Sequence, residues 1–221
     1  MIKYIDMENW PRKNHYRFFK AFDYPHFNVC ANVDVTRFSQ VVSERKLSFF
    51  KTFLYAVMRT ANELKEFRYR IREDGVVEHD VVHPSFTLMT SEDVFRFCKA
   101  QYNAKMNAFL DEIARVMEAA KDTVYIEDEP GRDNLLYVTC LPWVSFTSVQ
   151  HPIHFDANDS VPRIAWGKFF EENGTVKIPL GVQAHHALVD GVHVGQFFER
   201  IQEHLDRIEH LLDEDGGMDG F

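Results

Sequence analysis

Along this chain the spacing of apolar residues switches between a helical period and a strand-like one, so helices and strands are expected to interleave. The most regular helical stretch is 107–120, where Phe109, Ile113, Val116 and Met117 fall at i, i+4, i+7 and i+8. A second helix is expected over 49–64 with its apolar positions on one face, and a short one through 37–42, capped by Thr36 or Asp34. Residues 68–71 and 76–77 read as a hairpin around Asp74 and Gly75, followed by strands over 85–89 and 94–97. Beyond a polar loop at 127–133, strands are expected at 135–140, 143–147, 164–169 and 176–183, and a last helix over 194–205. With no repeat and no linker, the pattern favours one continuous α/β domain over 1–212. The acidic, glycine-rich end at 213–221 reads as a flexible, solvated tail.

The segment QAHHALVDGVH (183–193) falls where the last strand gives way to the last helix. In one reading His185 and His186 are ordinary buried imidazoles, Asp190 caps the helix and Gly191 permits the turn. A metal reading takes His185 or His186 with Asp190 and His193, but the chain has neither a cysteine pair nor a helical His-Glu-x-x-His to support it. In a catalytic reading one histidine is a general base, since imidazole holds and releases a proton near its reference pKa of about 6.5. Asp190 is then a carboxylate that fixes the turn, and if buried it needs a cation or several donors.

Composition narrows the classes. Twenty phenylalanines and 45% hydrophobic residues suffice for a substantial core. A net charge of −9, with lysine and arginine scattered, argues against a nucleic-acid surface. No apolar run approaches the length of a spanning helix and the N-terminus has no signal-peptide pattern, so no membrane association is expected and the protein is placed in the cytoplasm. Cys30, Cys98 and Cys140 are odd in number and widely spaced, which fits buried thiols better than disulfides or metal ligands. No glycine-rich phosphate loop is present, so a nucleotide-bearing ligand would bind by other means.

The segment around His185, His186, Asp190 and Gly191 resembles the signature of the chloramphenicol acetyltransferases. Two further segments carry the resemblance, LPWVSFTS (141–148) and NWPRKNH (9–15), and all three stand in family order. The resemblance implies a two-layer α+β sandwich, a mixed β-sheet covered by helices. It implies an O-acetyltransferase that moves acetyl from acetyl-CoA to a hydroxyl of chloramphenicol or a similar small molecule. His186 would be the general base, Ser148 the donor to the tetrahedral oxyanion, and Arg12 the partner of Asp190. Acetyl-CoA would be a co-substrate, with no permanently bound cofactor and no metal. The resemblance also implies a homotrimer with active sites at subunit interfaces, in which Ser148 and His186 of one site need not share a chain.

Phe19 stands where the drug-acetylating members carry an acceptor-pocket tyrosine, Ala165 where they carry a threonine, and Val189 where a cysteine is usual. These departures bear on the acceptor more than on the reaction. Phe27 matches a pocket aromatic, although a strand-like aromatic is as often core. Lys168 matches a lysine near the coenzyme phosphates, although it also reads as an exposed strand lysine. The alternative enzyme is an acyl-CoA-dependent acyltransferase with a different hydroxyl or thiol acceptor. A dihydrolipoamide acyltransferase core shares the motif but would be expected to follow a lipoyl-carrying domain. A non-enzymatic small-molecule binder on the same scaffold is the third reading.

Overall fold

A computed structural model of the chain describes residues 2–73, 75–121, 131–155 and 158–213. In chain order its elements are β1 (Ile2–Tyr4), α1 (Lys13–Lys20), β2 (His26–Asp34), α2 (Thr36–Glu44), α3 (Phe49–Glu63), α4 (Lys65–Arg68), β3 (Tyr69–Arg72) and β4 (Gly75–His79). They continue with β5 (His83–Met89), β6 (Phe95–Lys99), α5 (Met106–Ala120), β7 (Leu135–Cys140), β8 (Arg163–Trp166), β9 (Phe170–Glu172), β10 (Thr175–His185), α6 (Gly191–Asp206) and α7 (Ile208–Asp213). The large sheet has seven strands in the order β2-β10-β8-β7-β5-β6, with β9 also paired to β10. It is mixed: β5–β7 and β7–β8 are parallel, the other pairs antiparallel. A small sheet, β1-β4-β3, holds the expected hairpin, with Arg72 opposite Gly75 and Gly75 at φ +136°. Asp74 of that turn lies outside the described residues, as do 122–130, which include the first part of the polar loop, and 214–221 of the tail; Asp213 ends α7.

Period-two alternation gives β10 two different faces. Ile178, Leu180, Val182 and Ala184 are buried in the core with the helices. On the other face, a Cβ added at Gly181 would lie 2.9 Å from Val149 Cγ1 and 3.2 Å from Cys30 Sγ, and the Gln183 Oε1 accepts from the His151 N–H at 2.9 Å. The helices therefore cover one face, and the stretch between Cys140 and Arg163 crosses the other.

The helix α3 departs from expectation, because it is buried on nearly every side rather than along one stripe: Thr52 to Met58, Thr60 and Ala61 are all inaccessible. It lies in the middle of the helical layer, touching α2, α5 and α6. Its Thr52 and Thr60 hydroxyls donate back to the Ser48 and Ala56 carbonyls, which makes such burial tolerable. Phe53 packs among the rings of Phe38, Phe49 and Trp166.

Other expectations shift at their ends. In α2, Thr36 is the first helical residue and neither it nor Asp34 caps the helix with its side chain. Instead the Asp34 Oδ1 accepts from the Thr36 N–H at 2.8 Å, and the Thr36 Oγ1 accepts from the Val176 N–H at 2.9 Å, tying the helix start to β10. Residues 143–147 form no strand, and the expected strand at 164–169 ends with β8 at Trp166, leaving a break before β9 begins at Phe170. Backbone bonds from Gly167 to the Pro179 carbonyl and from Lys168 to the Val144 carbonyl hold that break. The helix α1 carries no capping signal and buries only Tyr16, so its pattern did not announce it.

The two sheets meet at Arg70, which is fully buried and, among the described residues, has no carboxylate on its guanidinium. It donates to the carbonyls of Phe67 (2.9 Å), Tyr69 (2.5 Å), Asp133 (2.6 Å) and Leu135. Burial pulls its pKa down to about 10, so it remains charged at neutral pH.

Replacing Phe53 by alanine is expected to lower stability by about 3–5 kcal/mol through the cavity it leaves. Urea unfolding at fixed protein concentration should show the midpoint falling with the slope unchanged.

Candidate active site

The strand β10 ends at His185, and a tight link of five residues carries the chain into α6. Leu188 and Val189 both donate their N–H to the His185 carbonyl, at 3.0 and 3.1 Å. The His185 side chain is buried, and its Nδ1 accepts from the Ala187 N–H at 3.1 Å, so its proton sits on Nε2. Burial, with help from nearby His26, His186 and Lys20, drives its pKa down to about 3. The His26 ring stands edge-on to it at 5.1 Å. His185 is thus a neutral element of the turn. The first reading of the pair as buried imidazoles fits His185 but not its neighbour.

His186 donates its backbone N–H to the Pro25 carbonyl at 2.8 Å, which fixes the link against the entry to β2. Its side chain remains about one-third exposed. The Phe19 ring stacks on it in parallel, with centroids 4.0 Å apart and planes 6° apart, and Phe27 lies against it at 4.5 Å. Both aromatics that the resemblance links to an acceptor pocket therefore flank this imidazole. Its buried Nδ1 lies 3.1 Å from the Asp190 Oδ1; the pair is close enough for charge attraction but is not aligned as a hydrogen bond.

Asp190 stands at the N-cap position of α6, but its carboxylate is turned toward Arg12, just before α1. Arg12 Nη2 donates to Asp190 Oδ1 at 2.6 Å while Nη1 donates to Oδ2, a bidentate fork. The same guanidinium reaches the His186 carbonyl at 2.7 Å and the Ala187 carbonyl at 2.9 Å. One cation thus fastens the carboxylate and two peptide oxygens of the link, joining residues 178 apart in sequence. The hydrogen bonds from Arg12 hold the Asp190 carboxyl below the usual carboxylate range, against the opposing effect of burial. Gly191 has an ordinary negative φ, and no heavy atom lies within 4 Å of where its Cβ would be, so the turn does not require glycine.

Ser148 lies in the irregular stretch over the second face of the sheet. It is exposed and makes no side-chain hydrogen bond among the described residues. Lys168 is exposed as well, in the break between β8 and β9 rather than in a strand, and its carbonyl accepts from the Ser145 hydroxyl at 2.7 Å. The serine and lysine segments are therefore laced together, while no hydrogen bond joins Ser148 to His186 within the chain. Ala165 is fully buried on β8, opposite Gly181. The side chains of the metal reading have other partners: His185 Nδ1 is taken by Ala187, His193 Nδ1 by the Asp190 N–H, and Asp190 by Arg12. Among the described residues no group of three or more His, Cys, Asp or Glu is placed to hold a metal ion.

The chain is thus a mixed sheet with helices on one face that presents a histidine at the end of its longest strand. A solved dihydrolipoamide acetyltransferase from Azotobacter vinelandii shares this fold, with a TM-score of 0.63 and 18% identity, covering 90% of this chain and 88% of that one. A solved chloramphenicol acetyltransferase is more similar, with a TM-score of 0.84 and 28% identity over 93% of this chain and 100% of that one. Residues 1–202 match the family model for chloramphenicol acetyltransferase, and the chain belongs to that family of acyltransferases. Similar relatives include chloramphenicol acetyltransferase 3 of Escherichia coli, 29% identical over 201 residues, 90% of this chain and 94% of that protein. A chloramphenicol acetyltransferase of Proteus mirabilis is 29% identical over 207 residues, 93% of this chain and 95% of that protein.

Two outcomes follow from the local geometry. A neutral, buried His185 favours the folded state fully above its unfolded pKa of about 6.5, and that stability is lost as pH falls from there toward 3. Wild-type unfolding free energy should therefore decline on acidification by up to about 1.4 kcal/mol per pH unit from this group. His185→Asn should flatten the decline in denaturant titrations at pH 7, 6 and 5. At Gly167 an added Cβ would lie 2.5 Å from the Val144 carbonyl and 2.8 Å from Pro179 Cγ. Gly167→Ala is expected to cost about 1–3 kcal/mol and to shift the amide resonances of residues 144–148.

Proposed function

We propose that this chain transfers acetyl from acetyl-CoA to a hydroxyl of chloramphenicol or of a similar small molecule bearing an aromatic group. The observation that carries this reading is the Arg12–Asp190 clamp on the link that presents His186 between Phe19 and Phe27. The acceptor is suggested by the relatives, which are chloramphenicol acetyltransferases. The exposed rings of Phe18 and Phe22, 5.1 and 5.5 Å from Phe19, extend an apolar surface beside the imidazole that suits an aromatic acceptor.

In this reading the Asp190 carboxylate favours the tautomer of His186 with its proton on Nδ1, leaving the Nε2 lone pair toward the acceptor. As the acceptor oxygen attacks the thioester carbonyl, its proton passes to Nε2. The Ser148 hydroxyl donates to the oxyanion of the tetrahedral intermediate, which collapses, breaking the C–S bond. The departing thiolate of coenzyme A takes the proton held on Nε2. Lys168 lies on the segment tied to that of Ser148 through the Ser145 hydroxyl, and would receive the coenzyme phosphates. No step requires a covalent acyl-enzyme.

We place the active site between subunits of a homotrimer. Supporting this are the absence of a hydrogen bond between Ser148 and His186 within one chain, the exposed apolar side chains Trp143, Val144 and Phe169 around the serine segment, and the open edges of the sheet at β2 and β6. A cytoplasmic setting, where acetyl-CoA is available, fits a chain in which no helix among the described residues is long and apolar enough to cross a membrane.

The test is thiol release from acetyl-CoA by the purified protein with and without chloramphenicol. Chloramphenicol-dependent release should fall about 10²–10⁴-fold in His186→Ala and about a hundredfold or more in Ser148→Ala. Unchanged release in the histidine variant would sink the role given to His186. Release with another hydroxyl or thiol acceptor but not with chloramphenicol would keep the chemistry and move the substrate, whereas silence with every acceptor would favour a binding protein.

A further inference from the structure

Holding the carboxylate of Asp190 is only half of what fixes that residue. Its backbone N–H points back into α6 and is accepted by Nδ1 of His193 at 2.9 Å, while the His193 N–H donates to the Asp190 carbonyl at 3.0 Å. His193 occupies the third position of the helix, from which a side-chain acceptor can reach back to the N-cap amide, a role more often filled by glutamate or glutamine. Accepting at Nδ1 puts the proton of the neutral ring on Nε2, which lies 3.6 Å from Glu66 Oε1 of α4. Both side chains are mostly buried. The charged groups around the ring are Glu66, Lys65, Arg12 and Asp190. Burial keeps the ring neutral, which is the form able to accept.

The geometry points to His193 as a positioning residue for transfer, acting through the Asp190 amide rather than on substrate, with Glu66 holding its tautomer. The inference rests on His186 being the base. Arg12 pulls the link from the N-terminal side and His193 ties it from the helix, so the direction of the Asp190 carboxylate is set from both ends. Loss of the His193 acceptor frees the N-cap to rotate and carries Oδ1 away from the His186 Nδ1. Such a shift disturbs orientation at the reacting atom, and small misplacements are felt strongly there.

The substitutions are sterically accessible, because His193 lines an open groove of about 540 Å³ with Glu66, Arg68, Val192 and Gln196. His193→Gln restores an acceptor at this helix position, whereas His193→Leu fills similar volume without one. In the leucine variant kcat is expected to fall about tenfold, with both KM values within twofold of wild type, and the glutamine variant should recover to within about threefold. Circular dichroism and thermal melting establish that each variant is folded; if the leucine variant is not, His193→Ala provides the same comparison. Normal kcat in the variant lacking an acceptor, or glutamine as damaging as leucine, would overturn the assignment.

Hydrogen exchange at the Asp190 amide reads the same bond without substrate. It should accelerate in His193→Leu and stay slow in His193→Gln, and unchanged exchange in the leucine variant would also overturn the assignment. A wild-type protein that transfers acetyl to no acceptor would fail the functional reading instead, leaving the exchange measurement to decide this one.

Discussion

The parallel pairing of β7 with β8 governs the architecture around the site. Two parallel neighbours cannot be joined by a hairpin, so the chain must cross a face of the sheet to return. In most such units a helix makes the crossing. Here the helices already occupy one face, and no helix forms among the described residues between Cys140 and Arg163. The crossing is an irregular strap over Gly181 and Gln183, held by backbone bonds at Gly167 and Lys168. Glycine at 167 and at 181 lets it approach closely enough to pack. The serine segment thus rides on the non-helical face of the sheet, while the histidine emerges from the end of the strand beneath it.

Arg12 solves a different problem. The link between β10 and α6 turns sharply, leaves carbonyls without sheet or helix partners, and brings a carboxylate next to an imidazole. A single guanidinium satisfies the carboxylate and the carbonyls of His186 and Ala187, and its bidentate geometry fixes their relative orientation. A lysine could supply the charge but not the fork. Burial of His185 and partial exposure of His186 divide the adjacent histidines: one is kept neutral as a structural acceptor, and the other is left open between two aromatic rings.

How much of this was legible depended on the signal each residue leaves. Strong periodicity marked α5 and α3, and the β10–α6 junction was visible from the shift in spacing around the histidine pair. That a buried Asp190 needs a cation followed from elementary electrostatics, but only resemblance to a family pointed to Arg12, because nothing in spacing connects residues so far apart. The strap read as a strand at 143–147 because Trp143, Val144 and Phe146 are good strand formers. Their order comes instead from bonds to a neighbouring break in the sheet, which no local pattern records. The helix α1 was hidden by its polarity and lack of a cap. His193 reads from the sequence as a metal ligand, although its place three residues after an N-cap aspartate is the available clue. Arg70 left no signal, since its partners are backbone carbonyls.

Arg70 also bears on how the molecule comes apart. Its charge is solvated by peptide oxygens drawn from two places: Phe67 in α4 with Tyr69 at the start of β3, and Asp133 just before β7 with Leu135 at its start. Either set alone would leave a buried cation short of acceptors, at a cost of several kcal/mol. The small sheet therefore has no inexpensive way to peel from the large one. A partly opened form would have to bring water to the guanidinium, so the two sheets should behave as one cooperative unit, with the charge acting as a latch against half-open states.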